Sequence, residues 1–544
     1  MEFVMAGIVI AAVISAVIIS RISGQKKIIR DVTAAIDNPP AENRLNELES
    51  ISEYYLYAKH TYLNADNITW NDLDMDELFD RINTCESSVG EEYLFALLHR
   101  RPDSKEEEIF RRGLKLLSGD RELRVQVCVA LHNLGIFNYN SVAKTCLGNG
   151  FKTDANIMGS DKIFKLLPFM PFAVTAVLIP FLGWGAAAGF IAGSLVNMIV
   201  YYKTYIKISL ETGMMKYLCR VFCCAKRLSE LSPDPVFKEL AEMFKPFSEI
   251  AKLLYAIGKP PDSDSMGEII NTYIKIITFK ELNAYFKLRR IAEQYPDEIH
   301  SLYDRVGMLD AVCAVLNFRA SIPVWCEPEF TDERRITAVG VIAPLIHDPV
   351  GNDFDMRENI LITGSNASGK SSFAKAMAVN AILAQSIFTC TAEKFLLRRC
   401  RVITSMAVRD NICTGESYFV AEIRSMRRVV DMAGEEFCFC VIDEILKGTN
   451  TAERIAASVS VLNFLAKTES LFAAATHDIE LTELLKETFR NVHFSEQVEN
   501  DEVIFDYKIK EGAAQTRNAI KLLKINGFPA EITDMAKRLA EKRG

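Results

Sequence analysis

Residues 360–377 read ILITGSNASGKSSFAKAM: two short hydrophobic β-formers, a glycine-bounded loop, and a lysine-serine pair at the start of a helix-forming run. Within it, Gly364-Ser365-Asn366-Ala367-Ser368-Gly369-Lys370-Ser371 fits G-x-x-x-x-G-K-[ST] between a strand, NILIT, and a helix, SSFAKAMAVNAILAQ. The glycines let the backbone curl so that successive N–H groups face phosphate oxygens. Lys370 is expected to neutralise the β- and γ-phosphates, and Ser371 to offer its hydroxyl to Mg²⁺. Ser372, in the first turn of the helix, completes the candidate nucleotide-binding set.

Phosphate chemistry of this kind needs a carboxylate at the end of a buried strand. FCFCVIDEI, residues 437–445, supplies six apolar or cysteine residues followed by Asp443-Glu444. Asp443 is expected in the Mg²⁺ shell and Glu444 as the group that polarises the attacking water. A further strand, SLFAAAT, runs into His477, whose imidazole is placed to sense a γ-phosphate. A histidine after a strand is by itself more often structural; its order after the other two motifs favours function.

Working outward, 544 residues exceed one compact core and suggest three or four units. With 63 Lys+Arg against 71 Asp+Glu, the net charge of -8 lacks the global basicity that announces nucleic acid, although local patches could still bind it. The 13 cysteines show no regular spacing and fall on apolar runs, which reads as reduced thiols in a cytosolic body. No paired C-x-x-C arrangement or histidine cluster points to structural zinc.

Residues 3–20 carry no charge, and as a helix they would reach roughly 27 Å, close to the hydrocarbon thickness of a bilayer. Glu2 stands where a signal peptide would be basic, so an uncleaved anchor is expected; Arg21, Lys26, Lys27 and Arg30 then place the following chain in the cytosol. A second uncharged run, residues 166–202, is broken by Gly183-Trp184-Gly185 and reads as a transmembrane hairpin with both ends on the lysine-bearing cytosolic side. The alternative is a hairpin buried in a soluble domain, against which stands the lack of any polar face over such a length. Residues 40–150 and 204–320 are helical and amphipathic, interrupted at GKPPDSDS, 258–265; the second arm has nearly balanced charge and reads as a solvated helix face.

These motifs resemble the MutS proteins, DNA-repair clamps whose ATPase is of the ABC class. TGSNASGKSS is similar to the family's TGPNMxGKST, DNICTGESYFVAEI to DDxxxGxSTFMxEM, DEILKGTNT to DEIGRGTST, and ATHDIELTEL to ATHYFELTEL. The tail GAAQTRNAIKLLKINGFPAEITDMA resembles the segment closing that domain, so the specific likeness covers about residues 335–540; a weaker one lies at 69–102. The resemblance implies that Ser417, in TGESYF, reaches the γ-phosphate of a neighbouring subunit, that Asn366 is the P-loop asparagine, and that Asn450 and Thr451 lie near the shared interface. It therefore implies a homodimer joined through the ATPase domains. Ser365 replaces the family's proline, and Ala343-Pro344-Leu345 stands where His-Pro-Leu is usual. The mismatch-reading domain with its Phe-x-Glu wedge has no counterpart: Phe237-Lys238-Glu239 and Phe247-Ser248-Glu249 lie in the helical arm.

The fold class expected is mixed: a C-terminal α/β P-loop domain of the ABC class, an all-α core and lever, and transmembrane helices. The expected division is an anchor at 1–30, a first helical core at 40–160, a hairpin at 166–202, a helical lever at 203–330 and the ATPase domain at 331–544. The expected function is a membrane-anchored, Mg²⁺-dependent ATPase whose closure drives a clamp-like change, with DNA as a possible partner. A transport ATPase, or an ATP-gated membrane scaffold that touches no nucleic acid, stays open.

Overall fold

The computed structural model describes residues 22–36, 48–55, 62–137, 161–250, 276–365, 368–406, 418–499, 502–514 and 527–541, with Ser15 and Ile19. The expected anchor at 3–20 lies outside the described residues except for those two, and Asn366, Ala367 and Ser417 lie outside them as well.

The first half is a helical body. Its centre is the pairing of α1 (Ser88–His99), buried along its whole length, with α8 (Pro296–Ser321). Around them stand α2 (Ser104–Gly119), α3 (Arg121–Leu134), α6 (Pro235–Phe244) and α7 (Lys280–Gln294). The helix starts follow from local chemistry: the side chains of Asp103, Asp120 and Asp234 accept hydrogen bonds from the first free N–H groups of α2, α3 and α6. The cap of α1 crosses between helices, because the Asp310 carboxylate of α8 accepts from the backbone N–H of Glu86 at 3.1 Å and of Ser87 at 2.9 Å. The two Phe-x-Glu triplets serve this body. Phe237 and Phe247 are fully buried, Phe247 stacks 4.6 Å from Phe222, and Glu239 pairs with Arg305 at 2.6 Å.

Between α3 and α6 the chain forms the expected hairpin: α4 (Met170–Leu182), a 3-10 turn at Gly183–Ala186, and α5 (Ala187–Ser229). The arms lie against each other. Asn197 donates to the Leu167 carbonyl at 2.7 Å, Phe172 meets Phe190 edge-on at 5.2 Å, and a Cβ added at Gly193 would fall 2.9 Å from the Cα of Pro171. One difference from the sequence reading concerns length. The second arm does not end near residue 202 but continues for 43 residues as one helix, because no proline or turn signal interrupts 203–229 and its later apolar residues pack into the body. Among the described residues, one helical stretch, Lys162–Ser209, is long and apolar enough to cross a membrane, and only 6% of its most apolar window is buried within the protein.

The second half is built on two sheets. In chain order the strands are β1 (Glu329–Thr331), β2 (Ile336–Val341), β3 (Asn352–Met356), β4 (Ile360–Thr363), β5 (Lys394–Arg398), β6 (Arg401–Ser405), β7 (Cys438–Asp443), β8 (Leu471–Thr476), β9 (Arg490–Glu499) and β10 (Glu502–Glu511). The smaller sheet has the order β1-β5-β2-β3 and the larger β10-β9-β4-β8-β7-β6. In the larger sheet every neighbouring pair is parallel except the β9–β10 hairpin at its edge. The inner strands β4, β7 and β8 are continuous apolar runs, as strands covered on both faces must be. Helix α9 (Lys370–Ser386), buried for most of its length, and α10 (Tyr418–Glu435) and α11 (Thr451–Leu465) provide the crossovers.

The body and the sheet domain meet along residues 64–75, which overlap the start of the stretch with the weaker family likeness. The Val402 N–H donates to the Asn64 carbonyl at 2.8 Å, Thr404 Oγ1 to Asp72 at 2.6 Å, and the Arg428 guanidinium to Asp66; Lys375 pairs with Asp74. Arg428 and Thr404 are thereby fixed from the body, and Lys375 ties it to the helix that follows the P-loop.

Candidate nucleotide site

Parallel strands in an open α/β sheet leave a crevice at their carboxyl ends. β4 ends at Thr363 and feeds the loop, β7 ends at Asp443, and β8 ends at Thr476 just before His477, so the three sequence motifs converge on that edge. A cavity of about 690 Å³ opens there, lined by Ser365, Gly369, Lys370, Ser371, Ser372, Asp443 and Glu444.

The loop's backbone is a glycine solution. Gly364 has φ +143°, and a Cβ on it would lie 2.6 Å from the Phe494 carbonyl, so the loop can pass under β9 only without a side chain. Ser365, which replaces the family's proline, donates to Glu496 on β9 at 2.9 Å. The Lys370 ammonium donates to the Gly364 carbonyl across the loop. Its burial pulls its pKa below the ordinary lysine value, opposed by the charges of Glu444 and Asp443. The Ser368 hydroxyl is buried without a hydrogen-bond partner among the described residues.

Asp443 is the informative carboxylate. Burial raises its pKa, the Ser371 hydroxyl bonded to it acts in the opposite sense, and its Oδ1 is buried with no hydrogen-bond partner among the described residues. A buried carboxylate oxygen left open beside a serine hydroxyl suits a small hard cation that takes oxygen ligands and keeps several waters. The residues present therefore fit Mg²⁺, with Ser371 and Asp443 to hold it.

Glu444 follows with its backbone in the left-handed region at φ +56°. Burial works against its ionised form, yet the hydrogen bond and charge of Lys447, with those of His477, outweigh burial and hold its pKa below the ordinary value. His477 Nδ1 lies 3.2 Å from Glu444, so the structure sets this imidazole on the glutamate rather than among the residues lining the cavity. Asn450 and Thr451 are exposed, and Asn450 accepts from the Glu453 N–H at 3.1 Å as the cap of α11.

Sequence reasoning missed four neighbours. Lys447 lines the cavity and holds Glu444; its signal was present, since it lies inside the quoted DEILKGTNT. Glu496, Phe494 and Tyr507 come from the edge hairpin β9–β10, and nothing in their local sequence announces that this hairpin folds back over the loop.

A family model, MutS domain V, matches residues 360–543. Through this C-terminal part the chain is similar to the MutS family. Relatives named DNA mismatch repair protein MutS are similar to it: that of Pseudothermotoga lettingae is 30% identical over 293 residues, covering 50% of this chain and 36% of the relative. That of Thermosipho melanesiensis is 28% identical, covering 48% and 33%, and that of a Geobacillus species 28% identical, covering 48% and 31%. The chain thus spans about a third of the length of the curated relatives it matches. In the part that matches MutS domain V, Ser365, Gly369 to Ser372, Asp443 and Glu444 line one cavity at one edge of one sheet.

Proposed function

We propose that the chain is a mismatch-repair-related, Mg²⁺-dependent ATPase that works as a homodimer, binds its nucleotide at two composite sites, and uses their closure to move the helical arms on DNA. The observation that carries the chemistry is the open Oδ1 of Asp443 beside Ser371, in the same cavity as Lys370 and Glu444. Lys370 would leave the Gly364 carbonyl for the β- and γ-phosphates, and the loop N–H groups would cradle the remaining charge. Glu444, kept ionised by Lys447 and His477, would orient and polarise water. Ser371 and Asp443 would hold Mg²⁺, which would supply positive charge against the phosphates. Ser417 would complete the site of the partner subunit, as the family's signature serine does.

We further propose that the hairpin at 166–202 and the span at 3–20 seat the protein in a membrane with its body on the cytoplasmic side. The apolar exposure of the hairpin, Phe181 at 81% and Trp184 at 99%, supports the first of these.

Mixing variants tests the composite site. Lys370→Ala should abolish nucleotide binding, and Glu444→Gln should retain binding while slowing hydrolysis by about 10²- to 10⁴-fold. Lys370→Ala and Ser417→Arg chains, each nearly inactive alone, should recover part of the ATPase rate when co-purified as a heterodimer. Full activity of the Ser417→Arg homodimer would remove that serine from the site. DNA as the partner is tested by binding to duplex, mismatched and branched DNA with and without ATP, where affinity should fall steeply with salt.

A further inference from the structure

The joint between the helical body and the MutS domain contains a thiol pair that the nucleotide chemistry does not use. Beyond the end of α8, Cys326 lies directly opposite Cys390, four residues past the end of α9, in an isolated antiparallel bridge. The two residues exchange both backbone hydrogen bonds, Cys326 N–H to Cys390 O at 3.0 Å and Cys390 N–H to Cys326 O at 2.9 Å. Such a pair holds its Cα atoms about 5.5 Å apart with both side chains on one face, within the range a disulfide spans. The Cys390 thiol donates to the Asn380 carbonyl at 3.9 Å.

The two sulfurs are not equivalent. Cys390 is fully buried, whereas Cys326 is only partly buried at the edge of the core. The neighbouring Cys390 thiol lowers the Cys326 thiol pKa, and the charge of Arg319 acts in the same sense; burial raises that of Cys390. Arg319 is held beside the pair by donating to Thr389 Oγ1 and to the Phe388 carbonyl, both at 2.9 Å, with its guanidinium 4.2 Å over Trp325. This is the arrangement of a partly exposed attacking thiolate with a protected resolving thiol. The other described cysteines differ: Cys85, Cys128, Cys219, Cys224, Cys313, Cys400, Cys438 and Cys440 are buried, and the half-buried Cys223 has its thiol pushed up to about 11 by burial.

We propose that Cys326 and Cys390 form a peroxide-reactive dithiol site that closes reversibly to an intramolecular disulfide. The Cys326 thiolate attacks a peroxide oxygen; an S–O bond forms as the O–O bond breaks, and the departing hydroxide takes up a proton. The Cys390 sulfur then attacks Cys326, the S–S bond forms, the S–O bond breaks and water leaves with the Cys390 proton. Two electrons pass from the two thiols to one hydrogen peroxide, which becomes two waters. The bond fastens the connector leaving α8 to the segment leaving α9, and closes a loop that contains the whole phosphate-binding motif.

The test uses the full chain, purified in mild detergent and reduced, exposed to stoichiometric hydrogen peroxide, quenched with an alkylating agent and digested for peptide mass mapping. The expected result is a linked 326–390 peptide that forms at least about ten times faster than modification of Cys223 and is erased by dithiothreitol. Cys390→Ser should leave a sulfenic acid at Cys326 that dimedone traps, and Cys326→Ser should protect Cys390 from oxidation. Should Cys326 remain alkylatable after peroxide, or be oxidised without joining Cys390 in the wild-type chain, the proposal is overturned.

Discussion

The helix Ala187–Ser229 passes through two surroundings, and both halves carry large apolar side chains that are oppositely placed. In the outer half Ile191, Leu195, Val196 and Ile199 are exposed; in the inner half Ile208, Tyr217, Leu218, Cys219, Val221 and Phe222 are buried against the body. Hydrophobic composition therefore says only that a surface must be covered, whereas the fold says whether the chain itself covers it. For the inner half it does. In the outer half Tyr201 still reaches Phe279 of the body, while Ile191, Leu195, Val196 and Ile199 stay exposed on the faces that the proposed membrane seat would cover.

The sharpest way to break the comparison is charge in the outer half. In a chain lacking residues 1–21, Ile191→Lys with Leu195→Lys should cost roughly 5–7 kcal/mol of insertion, taking about 2.5–3.5 for each lysine. The protein should then leave carbonate-washed membranes. Retention there would remove the hairpin from the role of anchor. A smaller effect separates the halves by packing: Phe222→Ala should lower unfolding stability in detergent by about 3–5 kcal/mol. The corresponding Phe190→Ala, 38% exposed, should change it by no more than about 0.5 kcal/mol. Equal losses from the two alanines would mean that the protein packs both halves.

The smallest effect is a pH dependence confined to the body. Glu92 on α1 is fully buried, accepts from the Tyr303 hydroxyl at 2.7 Å, and has its pKa raised to about 8, first by burial and further by the charges of Glu91 and Glu53. Between the ordinary value of 4.5 and about 8, the unfolded chain releases a proton that the folded chain keeps. Stability should thus be highest below that window and fall as pH rises through it. Glu92→Gln should flatten the curve of denaturant midpoint against pH over this range. An unchanged slope would assign the dependence to other groups.

Much of the nucleotide domain was legible because each of its motifs is a contiguous run whose chemistry is local. Gly364 to Ser372, Asp443 and Glu444 needed only a strand before or after them, and the parallel sheet brings them together. Contacts made at long range were not legible. Nothing near Ser365 indicates Glu496, 131 residues away, and nothing in ADNITWNDLD, residues 65–74, shows that Asp66, Asp72 and Asp74 meet the C-terminal domain. The break at Gly183-Trp184-Gly185 marked the hairpin turn, while the end of the second arm was missed because lysines at 203 and 207 read as a boundary although they interrupt no helical pattern. The role assigned to His477 came from motif order alone, and only geometry placed the imidazole on Glu444.

The unbroken length of that helix has a mechanical side. Its 43 residues make a rod of roughly 64 Å at about 1.5 Å per residue, with one end set among the buried aromatic rings and the other at the hairpin turn. No proline lies within it to serve as a hinge, so bending is resisted along the whole shaft. A tilt of about 5° at the seated end sweeps the far end through roughly 5–6 Å, about one helical pitch. Small angular adjustments in the body are thus converted by leverage into displacements of atomic-contact size at the tip.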